Sequence, residues 1–378
     1  MKIHLLGDSL VQPRMARHTK FFCGWGDMLH VFFDDKTEIR NYGMGGRSSR
    51  SFMNEGRFFD NGRFTTELPP YGMGPALPQI SKGDYVFIQF LCNDDDSWSC
   101  AYRVNKHVWL GDADENGIYP TVVPTEDMLS PTAGWEVGYK EDLEKEGYTK
   151  EQIETILETT KELIDMCGDT YYSFDCGATF KGYQKYYIDK VRDKGAIPVL
   201  VVSGAKLVFM DGKIKPTPGY HGGEDTHHAF PYAEAIRQLG REENVPVIDL
   251  FETEKELYEA LGEEKAACLH NLGVAQEDVQ NIDNTDQFGL CADATDWLSE
   301  FDAHLRKKDY LTIDTVHKNH FGAFFQAAEI ADKLYALGVL KDHILKNPSA
   351  FPGIPEGVQN ERDLFASKIK NVSLFGDF

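Results

Sequence analysis

Lys2-Ile3-His4-Leu5-Leu6-Gly7-Asp8-Ser9-Leu10 is the stretch that decides the fold. A short apolar run, too brief for a helix, passes straight into a glycine and a turn-forming aspartate. That is the pattern of a buried strand, Lys2–Leu6, ending where the chain must turn. The pattern recurs four times downstream. Thr37–Tyr42 runs into Gly43-Met44-Gly45-Gly46, and Tyr85–Leu91 lies between Lys82-Gly83-Asp84 and Asn93-Asp94. Ala196–Val202 runs into Ser203-Gly204, and Val245–Leu250 is the fifth. Helical spacing fills the gaps. Trp25, Met28, Leu29 and Phe32 predict a helix over Phe21–Phe33; further helices are predicted over Phe180–Lys194, closed by Gly195, over Ala229–Glu243, and from Phe321 to Leu337. Thr149 with Gln152, and Thr253 with Glu256, read as capping boxes of two more. Five short strands alternating with helices predict an α/β protein with a five-stranded parallel sheet covered on both faces. In such sheets ligands bind beyond the carboxyl ends of the strands. Gly7-Asp8-Ser9, Gly43–Gly46, Asn93-Asp94 and Ser203-Gly204 would therefore meet along one edge.

Composition narrows the function classes. The chain has 378 residues, of which 42% are hydrophobic, enough for a packed core and outside the range of disordered or collagen-like sequences. Its 39 basic against 61 acidic residues leave a net charge of −22, which argues against nucleic acid or an anionic membrane as partner. No apolar run approaches the ~20 residues of a membrane span. The seven cysteines include no C-x-x-C pair, so reduced thiols are expected rather than a zinc ribbon. The first residues are too short and polar for a signal peptide. If Met1 is the native start, the expected location is the cytoplasm; a cloned mature domain of a secreted or periplasmic protein would begin the same way.

Ser9 stands where a strand ends and a helix is expected to begin, with free backbone N–H groups nearby. A serine becomes a nucleophile only beside a base. Asp314-Thr315-Val316-His317, just before the last helix, supplies one: in a turn the carboxylate can hold the ring's Nδ1–H and leave Nε2 facing Ser9. Asn93 and the Gly46 backbone can complete an oxyanion hole. Each of these short patterns alone is also an ordinary turn, surface pair or loop start; their order and their strand-end placement join them.

On these residues the chain resembles the SGNH (GDSL-type) hydrolases, and within them the rhamnogalacturonan acetylesterase group of carbohydrate esterases. The resemblance rests on Gly7-Asp8-Ser9-Leu10; on Asn41-Tyr42-Gly43-Met44-Gly45-Gly46-Arg47-Ser48-Ser49-Arg50-Ser51-Phe52 followed by Glu55-Gly56-Arg57-Phe58; on Gly83-Asp84-Tyr85-Val86 through Asn93-Asp94; and on Asp314-x-x-His317-x-Asn319-x-x-Gly322-Ala323. It covers roughly 1–94, 179–260 and 310–340. It implies a three-layer, flavodoxin-like domain, Ser9 as nucleophile, His317 as base and Asp314 as its orienter. It also implies oxyanion donors at the Ser9 and Gly46 N–H groups and the Asn93 side chain, and hydrolysis of acetyl esters on plant-wall carbohydrate without a cofactor. Similar enzymes often have Gly-His-Asn-Asp where this chain has Leu91-Cys92-Asn93-Asp94. Cys92 reads as a packed structural cysteine, with a reactive thiol the other reading.

Sections 95–178 and 263–309 are longer than a simple esterase needs. They are taken as insertions in a hydrolase domain over 1–342, with 343–378 as a C-terminal extension. Both insertions follow strand ends and can roof the site. The first holds Trp98, Trp109 and Trp135, which either stack on sugar rings or form the insertion's own core. Arg47 and Arg50 offer two-pronged contacts to a uronate carboxylate, or else pair internally, with Glu55 a partner for Arg47 or Arg50. His221, Glu224, Asp225, His227 and His228 read as substrate contacts or a solvated loop before a metal site, with His221 and His227 the candidates for sugar contact. Asp112-Ala113-Asp114-Glu115-Asn116-Gly117 starts like a calcium loop but lacks its last acid, Val123 standing there, so an Asn-Gly turn is the simpler reading. No metal is assigned.

Overall fold

The structure, a computed structural model, describes residues 1–13, 23–60, 73–94, 108–125, 140, 144, 149–155, 157–158, 178–215, 229–267, 269–274 and 311–345. In chain order the elements are β1 (Lys2–Gly7), α1 (Trp25–Met28), β2 (Glu38–Asn41), α2 (Ser49–Asn54), β3 (Tyr85–Gln89), α3 (Phe180–Asp193), β4 (Ile197–Val202), β5 (Phe209–Met210), β6 (Lys213–Ile214), α4 (Ala229–Glu243), β7 (Val247–Asp249), α5 (Leu250–Leu261), α6 (Glu263–Ala267), β8 (His270–Val274), β9 (Leu311–Lys318) and α7 (His320–Ala336).

Five of the strands form one parallel sheet in the order β2-β1-β3-β4-β7, the five predicted from sequence. Leu5 pairs with Asn41 on one side and Phe87 on the other, and Phe87 in turn with Val199. The order reverses between β1 and β3, so the crevice at the carboxyl edge opens there, between the exits to Ser9 and to Asn93. Alternation along the strands fills two cores. Ile3, Leu5, Phe87, Val199 and Val201 face α1 and the small-residue side of α7, where Ala323, Ala327 and Ala331 let the helix sit close. Leu6, Val86, Ile88, Leu200 and Val202 face α3 and α4 through Tyr183, Tyr187, Ile236 and Leu239.

Three local expectations change. The apolar periodicity over Phe21–Phe33 yields four α-helical residues and then a 3-10 turn, Leu29–Phe32. Periodicity reports a buried face, and here that face is met by a short segment pressed against the β1 exit: a Cβ on Gly26 would lie 2.5 Å from the Val11 carbonyl. Thr253 does not cap α5. Asp249 does, accepting the Glu252 N–H at 3.2 Å, while the Thr253 hydroxyl donates back to the Asp249 carbonyl. The Asp314–His317 stretch is not a turn but part of β9, which pairs antiparallel with β8 in a second, two-stranded sheet. Strand β8, with Val274 opposite Leu311, lies inside the section 263–309 expected to be an insertion.

Candidate active site

Ser9 is set by its own neighbourhood. Past β1 the chain makes a tight turn, with the Val11 and Gln12 N–H groups donating to the Asp8 carbonyl at 3.2 and 3.1 Å. The Asp8 carboxylate accepts the Leu10 N–H at 2.9 Å, an Asx-type turn. The helix expected after Ser9 is not there among the described residues: this turn takes its place. The turn after β2 is bolted onto it. Met44 N–H donates to the Gly7 carbonyl, and Gly45 N–H to Gln12 Oε1 at 2.5 Å. A Cβ on Gly45 would lie 3.5 Å from the Ser9 Cβ, so the Gly-rich turn abuts the serine. Gly46 has φ +76°, a conformation that favours glycine.

The β3 exit closes a second side. Asn93 is 1% exposed and donates from Nδ2 to the Arg47 carbonyl at 3.2 Å and to Cys92 Sγ at 3.5 Å. Asp94 accepts both the N–H and the hydroxyl of Ser49, at the start of α2, which ties the two motif stretches together. Arg47 is engaged internally. Its Nε donates to both Glu55 oxygens, at 3.0 and 2.9 Å, and Nη1 to the Gly45 carbonyl. Glu55 also receives Arg57 at 2.6 Å. Burial alone would raise Glu55, but the two guanidiniums outweigh it and hold its carboxyl below the ordinary range. Arg50 is 2% exposed, an interior group rather than a guanidinium presented at the surface.

The third side comes from the far end of the chain. His317 Nε2 lies 2.8 Å from Ser9 Oγ across 308 positions of sequence. With the proton on Nδ1, the serine hydroxyl donates to Nε2, the geometry a base needs. His317 is carried by β9, whose backbone is pinned by Leu207 N–H to the Thr315 carbonyl and Cys23 N–H to the Lys318 carbonyl. Beneath it sits a polar cluster that the sequence analysis missed. Lys318 Nζ, nearly fully buried, meets the Tyr258 hydroxyl, Glu254 at 3.2 Å and His270 Nε2 at 3.0 Å. Asn319 caps α7 through the Gly322 N–H and donates to the His270 carbonyl. Lys318 gave no signal in sequence because its partners lie 48 to 64 positions away. Asp314 has its backbone in β9; its side chain lies outside the described part of the structure.

Two carboxyls are unusual. Asp8, fully buried, is pushed up to about 6 by burial, against the pull of the Cys92 thiol, the Leu10 N–H and the His317 charge. Glu329, on α7 beside the Lys318 cluster, is raised to about 7, again by burial.

The remaining candidates divide. Trp98, Trp135, His221, Glu224, Asp225, His227 and His228 lie outside the described residues. Trp109 is half exposed, and its carbonyl accepts the Phe180 N–H at the start of α3. The Asp112–Gly117 stretch forms a turn. The Asp114 carboxylate is taken up by the Asn116 and Ile118 N–H groups at 2.9 and 2.8 Å, and Gly117 supplies the positive φ. Cys92 is buried with its thiol donating to Asp8 at 2.8 Å. Among the described residues no group of three or more metal-type side chains gathers, and no helix is long and apolar enough to cross a membrane.

No family profile matches the chain. The rhamnogalacturonan acetylesterase RhgT of Bacillus subtilis is 25% identical over 270 residues, 71% of this chain and 73% of its own. The probable rhamnogalacturonan acetylesterase YesY of the same organism is 25% identical over 70% of this chain and 76% of its own. Among solved structures, the Bacillus subtilis protein YxiM aligns over 89% of this chain and 57% of its own length, with a TM-score of 0.45 and 18% identity. The acetylxylan esterase Axe2 of Geobacillus stearothermophilus aligns over 88% and 93%, with a TM-score of 0.38 and 11% identity.

Proposed function

We infer that this chain is an SGNH carbohydrate esterase that removes acetyl groups from acetylated plant-wall carbohydrate, with Ser9 as its nucleophile. The observation that carries the reading is the 2.8 Å contact between Ser9 Oγ and His317 Nε2 at the carboxyl edge of the sheet, beside the switch in strand order. The two Bacillus subtilis relatives, by their names, support a rhamnogalacturonan-like backbone.

In the proposed cycle His317 Nε2 takes the hydroxyl proton as Ser9 Oγ attacks the acetyl carbonyl carbon. The tetrahedral oxyanion is met by the Ser9 and Gly46 N–H groups and by the Asn93 amide. Asp314 is the proposed orienter of the ring. Collapse expels the sugar hydroxyl, which receives the proton from His317 and leaves an acetyl-serine. Water, deprotonated by the same nitrogen, then releases acetate. All the catalytic roles fall to this chain's own groups.

The test is acetate release from acetylated rhamnogalacturonan and acetylated xylan oligosaccharides by the wild-type chain and by Ser9→Ala. The wild type should release acetate. The variant should release none while melting at the same temperature. Wild-type turnover in Ser9→Ala would remove the serine from the chemistry.

A further inference from the structure

One buried carboxyl next to the nucleophile has no part in that cycle. Asp8 is 0% exposed and lies between Ser9 and the β3 exit. Its Oδ1 accepts the Leu10 N–H at 2.9 Å and the Gln89 amide at 3.4 Å, and Gln89 is itself held by the Trp25 indole N–H at 2.6 Å. Its Oδ2 accepts the Cys92 thiol at 2.8 Å. The same sulfur accepts the Asn93 amide at 3.5 Å. An unbroken chain thus runs from the nucleophile turn through Asp8 and Cys92 to the proposed oxyanion donor.

We propose that Asp8 and Cys92 are positioning residues of this esterase site. Ionised Asp8 holds the thiol proton, so that the sulfur lone pairs steady the Asn93 N–H not given to the Arg47 carbonyl until the oxyanion takes it over, and its charge favours the His317 imidazolium formed during attack. This inference rests on the Ser9 reading of the function.

The donor arithmetic explains why the charge matters. A thiol has one proton to give. While Asp8 is ionised, that proton points to Oδ2 and the sulfur is free to accept from Asn93. Once Oδ2 is protonated, its O–H competes for the sulfur, and the thiol proton must turn elsewhere, where it opposes the Asn93 N–H. The titratable groups facing Asp8 are Cys92, from the β3 exit, and His317, from β9; the Gln89 amide and the Leu10 N–H are fixed donors. Burial raises Asp8 to about 6, close to the range in which a histidine base loses its activity on acidification. Protonation of the histidine base and protonation of Asp8 each remove activity. The acid limb of kcat/KM should therefore carry two protons, not one.

The experiment is p-nitrophenyl acetate hydrolysis across pH 4.5–9 by wild type, Cys92→Ala, Cys92→Ser, Asp8→Asn and Ser9→Ala. Cys92→Ala should lower kcat about tenfold at unchanged KM, the scale of one hydrogen bond. Cys92→Ser, whose hydroxyl can both donate to Asp8 and accept from Asn93, should recover most of that loss. Asp8→Asn should reduce the acid limb to a single proton. A wild-type kcat in Cys92→Ala, or a single-proton limb in the wild type, overturns the inference while Ser9→Ala remains inactive. Activity surviving in Ser9→Ala is the separate result that overturns the functional reading beneath it. The wild-type limb needs no variant to fold, so the inference stays open to refutation even where a substitution destabilises.

Discussion

The nucleophile side and the base side of the site are built in opposite ways. Ser9 sits in a turn closed by its immediate neighbours, Asp8, Leu10, Val11 and Gln12, with the Gly43–Gly46 turn laid on top through backbone groups. His317 sits on a strand outside the main sheet, held by a buried set of long side chains from α5 and β8. One side is local backbone geometry. The other is long-range side-chain chemistry, where removal of one partner strands the rest. The two sides should therefore fail differently.

The largest effect should come from cutting the link between them. His317→Ala should lower kcat/KM by about 10⁴-fold or more and take one proton out of the acid limb, leaving the melting temperature near wild type. A pH–rate profile reads both, and an acid limb persisting at comparable rate would mean that another group is the base. Next comes the oxyanion donor. Asn93→Ala should lower kcat by about 10²–10³-fold at little cost in KM, measured under saturating substrate. A purely raised KM would instead make Asn93 a substrate contact.

Breaking the base side from behind should show first in stability. Lys318→Met leaves Glu254, 4% exposed, without its cation. The cost should be about 3–5 kcal/mol, read by denaturant unfolding. Lys318→Met combined with Glu254→Gln should recover much of it, since no buried charge is then stranded. An additive double variant would show the pair to be uncoupled.

The smallest effect has the opposite sign, on the nucleophile side. Asp8 is raised from 3.8 to about 6 in the fold, so the folded chain holds its proton more tightly than the unfolded chain. The stability this confers is fully present below the unfolded value and is lost as pH rises through about 6. Above that, ionised Asp8 costs about 3 kcal/mol relative to acid conditions. Asp8→Asn should therefore melt higher than wild type at pH 8 and show little gain at pH 4, while its kcat falls. A lower melting temperature at pH 8 would mean that the carboxylate stabilises the turn rather than serving the site.

The two sides were also unequally legible. The Ser9 turn could be read from the residues because a strand, a glycine and an Asx turn are all local signals. The glycine-rich stretch after β2 was readable for the same reason. Helix α2 within that stretch was not, since Ser48 caps it through Ser51 rather than through a glutamate. On the base side the sequence showed Asp-x-x-His and placed it in a turn. Nothing nearby could reveal that His270–Val274 would pair with it and make it a strand. Arg47 and Arg50 illustrate the limit of residue type: the sequence left ligand contact and internal pairing both open, and only the structure shows Arg47 on Glu55 and Arg50 buried.

By itself, then, the sequence determined what depends on period and punctuation. These are the five strands and their exits, the helices α3, α4 and α7 that cover them, and the candidates Ser9, Asn93 and His317. Local backbone preference and burial pattern are written every two or four residues, so they survive reading one residue at a time. Tertiary structure brings Ser9 to His317 as the sequence expected, and it alone decided that Asp8 touches Cys92 and that Lys318 lies among Glu254, Tyr258 and His270. The physical reason is that a buried charge or hydrogen bond takes its energy from whatever shares its low-dielectric surroundings. Chain distance does not limit that choice: the partners here lie 48, 84 and 308 positions apart.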